Sequence, residues 1–145
     1  MNRRGVTIIE LLIVIVLIGV MAGFAFPRIG DAITKQSVRS ARTLFVGTHA
    51  KARATAIQRG SQTQFILAGG RITIQAAHPV TNVVQQVGNV EDLGSRYGVT
   101  VAPTNVTLTF DARGIGMETS ATTISITKGS YGSNIVISPV GRVIQ

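Results

Sequence analysis

The chain has 145 residues, a formal net charge of +8 and no cysteine. This length leaves room for one small globular unit beside a long helix, so a second domain is not expected. Without cysteine the chain can form neither a disulfide framework nor a thiolate metal site.

An almost uninterrupted apolar segment follows a short basic start. From Val6 to Pro27 the only charged residue is Glu10. As a helix this segment would be about 33 Å long, close to the roughly 30 Å hydrocarbon core of a bilayer, so a transmembrane helix is predicted over 6–27. A cleaved signal peptide is a weaker alternative, because the uncharged run from Leu11 to Pro27 is long for one. A buried core helix is weaker still, because so small a chain could not cover every face of it.

Glu10 is the unusual residue of this segment. A carboxylate at the centre of a bilayer costs about 2.5–3.5 kcal/mol on insertion scales, so it calls for a partner. It can also lie at the headgroup level or in the first helical turn, where the positive end of the helix dipole favours it. The sequence leaves both interpretations open.

Residues 5–12, Gly-Val-Thr-Ile-Ile-Glu-Leu-Leu, with Pro27 behind them, resemble the processing motif of the type IV pilins and type II secretion pseudopilins. The resemblance implies that prepilin peptidase cuts after Gly5, removes the leader 1–5 and methylates the new terminus, Val6. Most members of the family have Phe at that position, so Val6 departs from the pattern. The resemblance also implies that the Glu10 carboxylate meets the terminal amine of a neighbouring subunit during assembly.

The charges around the apolar segment do not agree with the topology of that family. Arg3 and Arg4 precede the segment, whereas four basic residues follow within fifteen residues of its other end. A positive-inside count would therefore place the amino terminus outside. We follow the resemblance, which is more specific. It places a single-pass protein in the bacterial inner membrane, with a cytoplasmic amino terminus and a periplasmic carboxyl-terminal domain, before the protein enters a periplasmic filament.

Beyond Pro27 the pattern becomes amphipathic, with apolar or small residues at three- and four-residue steps, as in a helix with one buried stripe. These residues are Ile29, Ile33, Ala41, Leu44, Phe45, Thr48, Ala52 and Ala56. Arg59 and Gly60 supply a basic last turn and a glycine stop. One helix from about Val6 to Arg59 is predicted, with a kink at Pro27 because proline removes a backbone donor.

The second half of the predicted helix is basic, since residues 28–59 hold seven basic side chains against Asp31 alone. Several basic residues fall near one another on the helix: Lys35, Arg39, Arg42, His49 and Arg53. Such a stripe is an electrostatic footprint for phosphate or anionic lipid. A solvated face is the simpler interpretation, because no aromatic residue lies in the stripe to stack a base.

From Gln62 onwards, apolar and polar residues alternate as in half-buried antiparallel strands. Two predicted strands, 64–67 and 71–75, flank Gly69-Gly70 and predict a tight hairpin. Further strands are predicted over 99–101, 106–110, 123–127 and 134–138, with turns at 111–114 and 129–132. The stretch 77–98 has a less regular pattern. Within it, residues 83–87 could form a strand, and residues 91–98 are expected to form a loop.

The predicted fold is α+β, with a long amino-terminal helix packed on a carboxyl-terminal antiparallel β-domain of six to eight strands. Its divisions are the leader 1–5, the transmembrane half 6–27 of the helix, the amphipathic half 28–59, and the periplasmic β-domain 60–145. This order, with Phe-Asp-Ala-Arg-Gly at 110–114 and Ser-Pro-Val-Gly-Arg at 138–142, resembles the H-type minor pseudopilins and their fimbrial-T relatives, the GspH/FimT group.

No enzyme signature is found in the sequence. His49 and His78 have no carboxylate or second histidine at metal spacing, and they are expected at the surface and in a loop. Gly114-Ile115-Gly116 lacks the third glycine of a dinucleotide motif. Glu91 and Asp92 lack the Asp-x-Asp array of a calcium loop. No catalytic residue, metal site or cofactor is predicted.

The resemblance implies a function in assembly. The first hypothesis is a minor pseudopilin of the type II secretion pseudopilus, acting in protein export. Its partners would be prepilin peptidase, other pseudopilins or pilins in the filament, the inner-membrane assembly platform, and membrane lipid before assembly.

The second hypothesis is a minor type IV pilin in pilus biogenesis and DNA uptake. Some fimbrial-T relatives are associated with DNA binding through a carboxyl-terminal Gly-Arg-x-Arg motif, so this resemblance implies a possible DNA contact. Here Gly141-Arg142 fits that motif, but Ile144 stands at the place of the second arginine. Arg142 is therefore a candidate DNA contact, although DNA is the weaker partner hypothesis, and more simply Arg142 is the residue after a turn.

Overall fold

The computed structural model describes residues 6–144, apart from the side chains of residues 24–28. The chain divides into two compact units, Met1–Thr34 and Lys35–Gln145. The described residues form an α+β fold with helices α1 (Ile8–Arg59) and α2 (Leu93–Tyr97). The strands are β1 (Thr63–Ala68), β2 (Arg71–Ala77), β3 (Val84–Gln86), β4 (Glu91–Asp92), β5 (Thr100–Ala102), β6 (Asn105–Phe110), β7 (Thr122–Lys128), β8 (Tyr131–Ile137) and β9 (Val143–Ile144).

Helix α1 ends where the sequence predicts. Gly60 follows Arg59 with a left-handed φ of +57°, and its N–H donates to the Ile57 carbonyl at 3.3 Å. Helix is assigned on both sides of Pro27. The kink at Pro27 stays a prediction, because the side chain of this residue lies outside the described ones.

The predicted membrane crossing has no counterpart among the described helices. Within residues 6–144, none of the helices contains a stretch that is both long enough and apolar enough to traverse a bilayer.

The strands of the β-domain form two antiparallel sheets. Sheet A has the order β3-β2-β1-β6, with β4 also pairing with β2, and sheet B has the order β5-β7-β8-β9. The β1–β2 hairpin is confirmed, because Gly69 and Gly70 have φ angles of +56° and +80°, which only glycine adopts without strain. In the part of the chain that is described, the strands without a sequence prediction, β4 and β9, are too short for an alternating pattern.

The expectation of a loop over 91–98 is wrong. Residues 91–92 extend sheet A as β4, and α2 follows directly. The Asp92 carboxylate caps α2 by accepting the Ser95 N–H at 2.8 Å, and Gly98 ends it with a φ of +64°. Leu93 is buried, so this short helix contributes a side chain to the core.

The core lies between one face of α1 and both sheets. Phe45 of α1 meets Phe65 of β1 edge to face, with ring centroids 5.1 Å apart. Buried residues from sheet A include Ile72 and Leu108, and those from sheet B include Ile124, Ile126, Ile135 and Ile137. On α1 the buried stripe begins at Val38, whereas Ile29 and Ile33, which were predicted to belong to it, are exposed.

Candidate functional site

The first turn of α1 is closed by Thr7. The Glu10 N–H donates to Thr7 Oγ1 at 3.3 Å, and the Leu11 N–H donates to the Thr7 carbonyl at 3.2 Å. Thr-x-x-Glu is the sequence pattern of a capping box, a local signal that marks this helix start. Glu10 therefore lies in the first turn, where the helix dipole favours a carboxylate. Within the described residues, the Glu10 carboxylate has no hydrogen-bond or ion-pair partner.

A continuous apolar surface follows this turn. Every large apolar side chain from Val6 to Met21 is exposed, by 48% for Val14 up to 88% for Ile8. Isolated soluble proteins rarely present an apolar surface of this extent, so it marks a region that other molecules cover. The predicted cleavage point, Gly5, lies outside the described residues.

Two distant loops meet at the carboxyl-terminal end of α1. In the first, the Asp111 carboxylate accepts the N–H groups of Arg113 and Ile115 at 2.9 and 2.8 Å, which confirms the turn predicted at 111–114. These backbone hydrogen bonds, that of Ile115 first, hold the pKa of Asp111 below its usual value. The first loop is also tied to the helix, because Arg53 Nε donates to the Gly114 carbonyl at 2.9 Å.

The second loop, 138–142, lies directly against the first. The Gly116 N–H donates to the Val140 carbonyl at 2.9 Å. A methyl group at position 116 would lie 2.5 Å from the Pro139 oxygen and from the Gly141 nitrogen. The two segments that carried the GspH/FimT resemblance, 110–114 and 138–142, thus belong to one junction, which we call the two-loop junction (residues 110–116 and 138–142).

Arg142 lies at the exposed edge of this junction. Its backbone N–H donates to Ser138 Oγ at 3.0 Å, and β9 begins at the next residue. Its position is that of a residue between a turn and an edge strand. Val143 and Ile144 follow it, so a second arginine does not extend the site.

The structure divides the predicted basic stripe. Lys35 and Arg39 are exposed, whereas Arg53 is half-buried and donates a hydrogen bond to the Gly114 carbonyl. The expectation that His49 lies at the surface is wrong, since its side chain is 1% exposed. Its ring packs edge to face on Phe65 and Phe110, with centroids 5.9 and 5.2 Å away. The place of His49 in the helical pattern did not predict its burial, because it lies where the buried face of α1 meets the exposed face.

Burial changes the chemistry of His49. Desolvation first, and then the positive charge of Arg53, lower its pKa from 6.5 to about 4. Its Nε2 is buried and has no hydrogen-bond partner within the described residues. The ring is therefore neutral at pH 7 and acts as part of the aromatic core.

The chain matches two family models. Residues 1–26 match the prokaryotic N-terminal methylation motif, and residues 41–141 match the type II transport protein GspH.

Two known proteins are similar over most of the chain. The pilin-like protein PilA1 of Thermus thermophilus is 30% identical over 161 residues, which cover 98% of this chain and 97% of that protein. The crystal structure of the type IV minor pilin FimU of Pseudomonas aeruginosa superposes with a TM-score of 0.59, covering 75% of this chain and 87% of that one. At 20% identity, this second likeness concerns the fold alone.

Proposed function

The chain belongs to the GspH-type group of the type IV pilin and pseudopilin superfamily, and from this membership we propose that it is a minor pseudopilin of a type II secretion pseudopilus. In this function it is a structural subunit in protein export and not an enzyme. The observation that carries the proposal is the exposed apolar surface of α1 from Val6 to Met21, which lies within the matched methylation motif and has Glu10 in its first helical turn.

The proposal assigns a role to each predicted site residue. Prepilin peptidase cuts after Gly5 and methylates Val6. Before assembly, residues 6–27 reside in the inner membrane, with the amino terminus in the cytoplasm and the domain 60–145 in the periplasm. In the filament the apolar surface from Leu11 to Val20 exchanges lipid for neighbouring helices, so it stays covered while the subunit leaves the bilayer. A bend at Pro27 and the amphipathic half 28–59 connect the two parts.

Glu10 fixes the position of one subunit relative to the next in the filament. Its carboxylate is exposed and has no partner within the described residues, although it stands at the head of an apolar surface. Once neighbouring helices cover that surface, an unpaired carboxylate there becomes costly. The terminal amine of Val6 in a neighbouring subunit satisfies it, so only the correct register is stable.

A Glu10→Gln variant is therefore expected to be processed normally but to enter filaments about tenfold less, which corresponds to one lost pairing of about 1.4 kcal/mol. Sheared filaments are quantified by immunoblot, and intact mass checks that residues 1–5 have been removed. Asp31→Asn on the same helix is the matched control, because it makes the same carboxylate-to-amide change outside the motif. Parental amounts of Glu10→Gln in the filaments would contradict the role of Glu10.

The alternative function is a minor type IV pilin in pilus biogenesis and DNA binding or uptake. The exposed position of Arg142 favours it. One arginine pairs with few phosphates, however, and phosphate contacts supply most of the affinity for DNA. We therefore place the secretion pseudopilus first.

A strain that lacks the chain distinguishes the two functions. For a secretion pseudopilin, folded exoproteins disappear from the culture medium and accumulate in the periplasm. For a minor pilin, the medium is unchanged, while pilus number and transformation frequency fall. An unchanged medium together with unchanged piliation and transformation would contradict both.

A further inference from the structure

A groove separates α1 from residues 89–97, the segment that contains β4 and α2. It consists of two adjoining clefts, one of about 510 Å³ between Arg39 and Tyr97 and one of about 370 Å³ between Lys51 and Glu91. Thr43 and Leu44 line both clefts, so the groove is continuous along the helix.

The groove combines apolar side chains with a basic rim and small polar groups. Leu44 lines both clefts and the buried Ile74 lines the second, and the exposed cations Arg39 and Lys51 stand at either end on the helix side. On the opposite side, the Glu91 carboxylate is already paired with Arg96 at 3.3 Å. Neither helix cation forms a salt bridge within residues 6–144, so the rim presents positive charge that the described chain does not neutralise.

Contacts at both ends hold the groove in its present shape. Lys128 Nζ donates to the Tyr97 carbonyl at 2.6 Å and to Ser37 Oγ at 3.0 Å, which ties α2 to α1 at one end. At the other end the Lys51 ammonium lies close to Gly88, where a methyl group would be 3.0 Å from Nζ. A groove that is fixed in advance loses little conformational entropy when a ligand enters.

We propose that this groove binds an extended segment of another protein, with an acidic side chain near each end and apolar side chains between. Arg39 and Lys51 are 12 residues apart on α1, about 18 Å along the axis, and an extended chain covers that distance with about six residues. Carboxylates at its ends would form charge-assisted hydrogen bonds with the two cations. The apolar side chains between them would cover Leu44 and Ile74.

The lining favours a protein segment over nucleic acid. Single-stranded nucleic acid needs a cationic track for its phosphates and aromatic faces on which its bases stack. Within the described lining, the aromatic residue is Tyr97, whose half-buried ring already lies under the Arg96 guanidinium at 5.7 Å. Two separate cations with apolar side chains between them suit an acidic, apolar peptide. The inference does not depend on filament assembly.

The test uses the full-length chain in a neutral detergent and a fluorescent hexapeptide with glutamate at both ends and alternating leucine and threonine between. Saturable binding is expected by fluorescence anisotropy. Arg39→Gln and Lys51→Gln should each weaken it about threefold, because an exposed ion pair contributes modestly. Thr43→Trp, an exposed position in the middle of the groove, should weaken it more than about tenfold by blocking entry.

Matched controls separate the groove from general charge effects. Lys35→Gln removes an exposed helix cation outside the lining, and Ala50→Trp adds the same bulk elsewhere on α1; both should bind like the parent. Absence of saturable binding at millimolar peptide overturns the proposal. So does equal binding of the peptide with glutamine ends, or equal weakening by Lys35→Gln. Tighter binding of a six-nucleotide oligothymidylate that Lys51→Gln abolishes overturns it in favour of nucleic acid.

Discussion

The Gly116→Ala variant is expected to lose about 3 kcal/mol of folding free energy, at the upper end of the cost of overpacking. Its methyl group would lie 2.5 Å from the Pro139 oxygen and the Gly141 nitrogen, and 2.8 Å from the Val140 carbonyl carbon. All three are backbone atoms, so no side chain can rotate to relieve the overlap. The loops must separate, which also breaks the hydrogen bond from the Gly116 N–H to the Val140 carbonyl.

Thermal unfolding followed by circular dichroism measures this effect, and a decrease in Tm of roughly 10 °C is expected. Gly47→Ala is the matched control, because a methyl group there meets nothing within 4 Å and alanine favours a helix more than glycine does. Its Tm should equal or exceed that of the parent. A Gly116→Ala protein with the parental Tm would refute the close approach of the two loops.

Acid is expected to destabilise the fold through His49. Its pKa is lowered from 6.5 to about 4 by burial and then by Arg53. Between these values the unfolded chain binds a proton that the folded chain does not, so the free energy of unfolding decreases as pH falls from 6.5 to 4. The full difference amounts to about 3 kcal/mol below pH 4.

Urea unfolding at a series of pH values measures this dependence. His49→Phe removes the titrating group and preserves an aromatic ring between Phe65 and Phe110, so its profile should be flatter than that of the parent between pH 6.5 and 4. Hydrogen bonds lower the pKa values of Asp92 and Asp111, chiefly from the Ser95 and Ile115 N–H groups. Their stabilisation is lost below about pH 4, equally in both proteins. Parallel profiles of parent and variant would contradict the prediction for His49.

The sequence predicted those elements whose conformation is determined by residues close to them along the chain. The β1–β2 hairpin follows from two adjacent glycines between alternating segments, and the turn at 111–114 follows from Asp111 and Gly114. The end of α1 follows from Gly60. For each of these elements, the residues that determine the conformation lie within a few positions of it in sequence.

Contacts between distant residues could not be predicted in the same way. The division into two sheets depends on β1 pairing with β6, and the two-loop junction depends on Gly116 meeting Val140. The burial of His49 depends on Phe110, 61 residues away along the chain. Helix α2 was missed for another reason: its five residues are too few for a helical period, although Asp92 and Gly98 supply its caps.

The pairing of β1 with β6 also determines when sheet A can be completed. Thr63 pairs with Phe110, and Ala68 pairs with Asn105. During synthesis β1 therefore has one partner, β2, while the 33 residues from the end of β2 to the end of β6 are made, which takes roughly 2–7 s at ribosomal rates. Through that interval the strand at the centre of the finished sheet has an open edge. The nascent β1–β2 hairpin can consequently pair with a wrong strand until β6 is translated.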